Sequence, residues 1–254
     1  MTKSITISAQ KRPAHLKETL EALKQCDGIK EWGTPMVLID YHPKQQECRE
    51  VAFKAGFRVT TFGSKLGCNT IIWKSMDHGF YNNYYPSSDF HVHFEDDTVP
   101  TKGALRWFDW AMENLKDQKV LTVQAFKRVP CGEDDEYILQ RRHLSWGWGT
   151  WRNRWVYTLS KNWLHGDGDM AWDTHIRDNV IKDWYVAQPC VSRIHNTGKT
   201  DGTFMRHPSI YENEHRSLKT TDSIITSFRE KPFSDSACDT PASTPACSGT
   251  GHSG

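Results

Sequence analysis

The sequence predicts an α/β protein, with a mainly parallel central sheet and helices on both of its faces. Three observations lead there. Strand and helix patterns alternate through the first half of the chain. The apolar, aromatic run Phe90-His91-Val92-His93-Phe94 stops abruptly at Glu95, Asp96 and Asp97, as a strand does when its carboxyl end opens on a ligand crevice. A length of 254 residues suits one large α/β domain or two small ones.

The elements follow in order. A first strand covers residues 5–8 and ends in the loop Ala9-Gln10-Lys11-Arg12-Pro13. The next helix, about 15–25, carries Leu16, Leu20 and Leu23 on one face. A second strand, Met36-Val37-Leu38-Ile39, ends at Asp40. A helix over about 45–54, a short strand over 58–61 and a helix over about 70–81 precede the acidic strand. Pro100 stops that strand, and a helix covers about 102–115.

The second half changes character. Residues 121–125 read as a strand. Glu133-Asp134-Asp135, in a polar stretch with Gly, Pro and Cys, reads as a solvated loop. Leu144 to Trp151 is aromatic and glycine-rich, and reads as a turn at Trp146-Gly147-Trp148-Gly149. Helices follow near 152–161 and 174–182. A strand starts at Tyr185, is broken by Pro189 and resumes over 191–194. Residues 195–214 read as a mobile loop. The expected organisation is one domain over 1–232, in two halves, 1–116 and 117–232. Residues 233–254, rich in Ser, Thr, Pro and Gly, read as a disordered tail.

A net charge of +1 gives no global field for nucleic acid or membrane. No apolar run reaches 18 residues, and no signal peptide precedes the first strand, so a soluble, cytoplasmic protein is expected. Seven scattered cysteines without Cys-x-x-Cys pairing fit reduced thiols. Of the eleven tryptophans, Trp146, Trp148, Trp151 and Trp155 stand in polar surroundings, which suits either stacking on a flat ligand or core packing.

The acidic triplet carries the chemistry. Three adjacent carboxylates repel one another, and their hard oxygens suit Mn²⁺ or Mg²⁺, above all when a diphosphate supplies further ligands. An acidic turn after a strand is the plainer alternative.

The order of Arg12, Asp40, Glu95-Asp96-Asp97-Thr98-Val99-Pro100, Trp146-Gly147-Trp148-Gly149 and Trp172-Asp173 resembles nucleotide-sugar glycosyltransferases of the GT-A (Rossmann-like) fold. It is most similar to the inverting N-acetylglucosaminyltransferase I family with its bacterial and viral relatives. The resemblance spans about 5–204. It implies that Arg12 meets the donor diphosphate, that Asp40 meets the base or ribose, and that Asp96 faces the ribose with Glu95 in support. It implies that Asp97 is the direct ligand of Mn²⁺ or Mg²⁺. Gly147 would lie close to the transferred sugar, and Asn69 matches a donor-contacting segment loosely. Asp173 would be the general base for the acceptor hydroxyl.

Each role has a plainer rival: a loop arginine, a turn or cap aspartate, an aromatic core turn, and for Asp173 a helix N-cap. Asp167, Asp169 and Asp178 compete for the base's place. One departure stands out. Several bacterial relatives of this fold place a metal-binding histidine where this chain has Phe204, with His195 and His207 on either side. The expected activity is transfer of a sugar from a UDP-sugar to a hydroxyl of a saccharide or other acceptor. A nucleotidyltransferase and a non-catalytic sugar- or nucleotide-binding module are the alternatives, and a nucleic-acid acceptor stays open.

Overall fold

The computed structural model describes residues 1–81, 87–166, 172–199 and 216–232. Its first half follows the expected alternation: β1 (Lys3–Ala9), α1 (Pro13–Gln25), β2 (Met36–Ile39), α2 (Gln45–Lys54), β3 (Arg58–Thr61), α3 (Cys68–Tyr81) and β4 (Phe90–Glu95). Then come β5 (Thr98–Pro100), α4 (Ala104–Asn114), β6 (Val120–Gln124), β7 (Glu136–Gln140) and β8 (Trp148–Trp151). A short helical turn, α5 (Arg152–Arg154), leads into a wide turn over Trp155–Leu159. The last elements are α6 (Trp172–His175), β9 (Tyr185–Pro189), β10 (Ile194–Asn196) and β11 (Arg229–Glu230).

Among the described residues, nine strands form one sheet in the order β11-β7-β9-β6-β8-β4-β1-β2-β3. The β3-β2-β1-β4 side is parallel. β8 enters antiparallel between β4 and β6. The sheet therefore runs through both halves of the chain. β5 and β10 form a separate antiparallel pair, with Thr98 opposite Asn196 and Val99 opposite His195.

The period of two in β1 and β4 sorts their side chains to opposite faces. Ile5, Ile7, Val92 and Phe94 join Leu16, Leu20 and Leu23 of α1, Cys48 and Ala52 of α2, and Leu105 and Phe108 of α4. Each of the three α1 leucines is fully buried, worth about 1.5–3 kcal/mol apiece against exposure. Pro13 opens α1, where a missing N–H costs nothing. On the other face, Ile71, Ile72, Met76 and Phe80 of α3 pack with Trp148, Trp155, Trp163 and Trp172.

Several expectations need correction. Trp148-Gly149 is strand β8 rather than a turn. Its partner β4 lies so close that a Cβ on Gly149 would stand 2.9 Å from the His91 carbonyl oxygen. Trp148, Trp151 and Trp155 are core residues, and the half-buried Trp146 packs edge-on against Phe126 with centroids 4.8 Å apart. Pro189 ends β9 instead of breaking it. The loop before β7 is not merely solvated. Asp134 Oδ2 accepts hydrogen bonds from the Thr221 and Ser223 hydroxyls at 2.6 and 2.8 Å. β5, β7 and β11 escape sequence reading because they are two to five residues long and draw their stability from partners distant in the chain. The tail over 233–254 lies outside the described residues.

Among the described residues, no disulfide joins Cys26, Cys48, Cys68, Cys131 and Cys190. Among the described residues, no helix is long and apolar enough to cross a membrane.

Candidate active site

The site is built where β1, β4 and β10 end. β4 stops at Glu95, and Asp96 and Asp97 make the turn into β5. Thr98 locks that turn, because its hydroxyl accepts from the Glu95 N–H and donates to the Glu95 carbonyl, both at 2.8 Å. Thr19 of α1 donates to the Asp96 carbonyl at 2.9 Å. The β5–β10 pair brings the chain after Asn196 alongside, and the Thr197 N–H donates to the Asp97 carbonyl at 2.8 Å.

Arg12, the residue before α1, reaches into this turn. Its Nη1 donates to Asp97 Oδ2 at 2.7 Å, and its Nη2 donates to Asp96 Oδ1. All three side chains are nearly sequestered, at 13%, 5% and 9% exposure for Arg12, Asp96 and Asp97. Burial opposes the charge of Arg12, but Asp96 and Asp97 outweigh it and raise the guanidinium's pKa. One guanidinium does not balance three carboxyls. Burial, reinforced by Asp97, raises Glu95 well above the usual carboxylate range. Burial also raises Asp96, against the pull of Arg12.

Asp97 Oδ1 is buried with no hydrogen-bond partner. A buried, unpaired carboxylate oxygen beside an under-neutralised acidic turn fits a divalent cation. Among the described residues, no group of three or more His, Cys, Asp or Glu side chains is arranged to enclose a metal. A cation here would take Asp97 Oδ1 from the protein and its remaining oxygens from ligand or water. His195 does not join it. Alternation along β10 turns His195 outward, where its Nε2 meets the Thr220 hydroxyl at 3.0 Å. Phe204 and His207 lie outside the described residues.

A cleft beside the acidic turn is lined by Ser8, Gln10, Arg12, Asp40, Glu95 and Asp96, among others. Asp40 is there as expected, but its carboxylate is already engaged. Oδ1 accepts from the Tyr41 and Leu66 N–H groups at 2.8 Å each, and Oδ2 from the Gly67 N–H at 3.1 Å. The geometry supports the turn-residue alternative, with Asp40 holding the 66–67 backbone under the cleft.

Two residues expected to contact the donor have structural roles. Asn69 is fully buried, and its Oδ1 accepts from the Trp172 N–H at 3.2 Å. Gly147 adopts φ +58°, and an added Cβ would meet Phe94 and Ile194 at 3.2 Å, so it is a tight backbone crossing inside the core. Asp173 follows Trp172, whose ring stacks on Trp163 at 4.4 Å and lies 5.0 Å from Trp148. That aromatic column, with the Asn69 bond, fixes Trp172 at the start of α6, with Asp173 next in the helix. Asp173 Oδ1 accepts from the Thr174 N–H at 2.8 Å. Burial raises the Asp173 pKa, and its charge adds slightly to the rise at Glu95. Asp178 pairs instead with Arg177 at 2.7 Å on the surface, while Asp167 and Asp169 lie outside the described residues.

Sequence reading missed Gly198 and the histidines of β4. A Cβ on Gly198 would sit 2.1 Å from Asp97 Oδ2, so only glycine leaves room beside the acid. No local signal marks it, because the β5–β10 pairing creates the contact. His91 and His93 did carry a signal: they alternate with Phe90, Val92 and Phe94, as Ser4, Thr6 and Ser8 alternate with Ile5 and Ile7.

No family model and no curated protein matches the chain. Solved structures do match in fold. One is glucosyl-3-phosphoglycerate synthase from Mycobacterium tuberculosis, in complex with Mn²⁺, UDP-glucose and phosphoglyceric acid. It is 17% identical with a TM-score of 0.50, covering 74% of this chain and 68% of that one. Another is the mannosyltransferase PcManGT from Pyrobaculum calidifontis with GDP-mannose and Mn²⁺. It is 13% identical with a TM-score of 0.49, covering 74% of this chain and 57% of that one. The chain therefore has the GT-A glycosyltransferase fold.

Proposed function

We propose that the protein is a metal-dependent glycosyltransferase that moves a sugar from a UDP-sugar to an acceptor hydroxyl with inversion. The observation that carries this reading is the Arg12–Asp96–Asp97 cluster at a cleft mouth, with Asp97 Oδ1 buried and unpaired. The fold shared with nucleotide-sugar enzymes supports it. The resemblance to the N-acetylglucosaminyltransferase I family supports inversion.

Mn²⁺ or Mg²⁺, when bound, supplies charge neutralisation for the diphosphate. Asp97 would hold it through Oδ1, which is buried without a partner. Arg12 neutralises the acidic turn in the free protein and suits the diphosphate with the same planar fork. Asp96 and Glu95 line the cleft and would face the nucleoside, and Asp40 shapes its floor. Asp173, held by the tryptophan column, takes the acceptor's proton, and burial makes its carboxylate more basic.

The test is a screen of UDP-sugars and GDP-mannose for nucleotide release with Mn²⁺, beside a binding assay. Release that stops with chelator supports the reading. Binding of a nucleotide without turnover on any acceptor would favour an idle binding module instead.

A further inference from the structure

A buried row of alternating hydroxyls and imidazoles runs between β1 and β4 and ends in the cleft. The register places Ser4 opposite His91 and Thr6 opposite His93, all on the α3 side of the sheet. Ser4 Oγ lies 2.8 Å from His91 Nδ1, and Thr6 Oγ1 lies 2.8 Å from His91 Nε2. Thr6 Oγ1 is 3.4 Å from His93 Nδ1, and Ser8 Oγ is 3.3 Å from His93 Nε2. Ser8 is the last member and lines the cleft.

The direction of every bond in this row follows from its far end. The Gly79 carbonyl, in the last turn of α3, can only accept, and Ser4 donates its one hydroxyl proton there at 3.0 Å. The two lone pairs of Ser4 Oγ then accept from the Ser88 hydroxyl, 2.7 Å away, and from His91 Nδ1–H. Both imidazoles are fully buried, and that burial holds them neutral, so each has one N–H and one bare nitrogen. His91 Nε2 is thus bare, and Thr6 donates to it rather than to the Ser75 carbonyl at 3.3 Å. Thr6 Oγ1 in turn accepts from His93 Nδ1–H. His93 Nε2 is left bare, and Ser8 donates its proton to it. What Ser8 presents to the cleft is a pair of lone pairs.

We infer that Ser8 is a nucleotide-binding residue fixed as a hydrogen-bond acceptor, with His91 and His93 as the positioning residues that fix it. It selects a ligand donor, either a ribose O–H or an imide N–H of the base. This rests on the proposed nucleotide site.

Two measurements on the full chain test it. The first is imidazole ¹H–¹⁵N NMR of the protein without ligand. His91 and His93 are expected as Nδ1–H tautomers, and an Nε2–H tautomer on either overturns the directed row. The second is binding of Mn²⁺–UDP, 2′-deoxy-UDP, 3′-deoxy-UDP and N3-methyl-UDP to the parent and to Ser8→Ala. The variant should bind UDP roughly 2- to 10-fold more weakly, the ordinary range for one hydrogen bond. One analogue should show the same loss on the parent and no further loss on the variant, which identifies the donor. Equal UDP binding by parent and variant overturns the Ser8 contact while leaving the nucleotide site intact. Failure of the parent to bind any of the four overturns the nucleotide site itself, and the Ser8 contact with it.

Discussion

The Arg12 guanidinium holds one oxygen of Asp97 at 2.7 Å and leaves the other buried without a partner. The protein thus supplies its own cation for part of the acidic turn, and the proposed metal would take the other oxygen. Removing Arg12 should expose the imbalance. Arg12→Met leaves Asp96 and Asp97 buried without their counter-charge, a change that costs about 3–5 kcal/mol. The melting temperature should fall, and Mn²⁺ should restore more of it in the variant than in the parent. An unchanged melting temperature would show that the turn does not depend on this pair.

Gly198 tests the same oxygen from the other side. Gly198→Ala places a methyl 2.1 Å from Asp97 Oδ2. Relief of that clash must shift the turn, at about 1–3 kcal/mol, and Mn²⁺–UDP affinity should drop with it. Gly63→Ala, where an added Cβ meets nothing within 4 Å, is the control. Equal nucleotide affinity in both variants would separate the loop after β10 from the site.

Acid stability should report a buried histidine. Burial pushes His143 down to about 3 from an ordinary 6.5, while its Nδ1 meets the Thr122 hydroxyl at 3.0 Å. In the unfolded chain it binds a proton below its ordinary pKa. Its contribution is therefore complete above about pH 6.5 and is lost as pH falls toward 3. The raised carboxyls Glu95, Asp96 and Asp173 act in the opposite sense, since they bind protons more readily when folded. The difference between parent and His143→Gln isolates the histidine. Between pH 7.5 and 5.5 the parent should lose about 1.4 kcal/mol more than the variant in urea titrations. Parallel losses would mean that His143 titrates normally in the folded protein.

Asp173 separates catalysis from capping. Asp173→Asn still accepts the Thr174 N–H bond, so stability should change by only a few tenths of a kcal/mol. UDP and Mn²⁺ should bind normally while transfer falls roughly a hundredfold to ten-thousandfold. The parent's product should have inverted anomeric configuration by NMR. Normal transfer by the variant, or a retained configuration, would remove Asp173 from the role.

Much of this was legible in the sequence where local pattern decides structure. β2, α2 and β3 fall on the expected residues because each is bounded by its own turn chemistry. The acidic triplet was legible because a strand must end before it. What was hidden depends on contacts between distant segments. Gly198 meets Asp97 only because β5 pairs with β10. Asn69 and Gly147 matched a family pattern, yet their buried environments give them structural duties. Trp148 and Trp155 looked available for sugar stacking because their sequence neighbours are polar. In space they share a column with Trp163 and Trp172.

The most direct test is Mn²⁺-dependent UDP release from UDP-sugars by the parent and by Asp97→Asn. The substitution removes the charge with almost no change of shape and keeps an oxygen for Arg12. The parent should release UDP with Mn²⁺ and stop in chelator, and the variant should be slower on the order of a hundredfold or more. Undiminished release by Asp97→Asn, or release by the parent that ignores chelator, would contradict a metal-dependent transferase centred on Asp97.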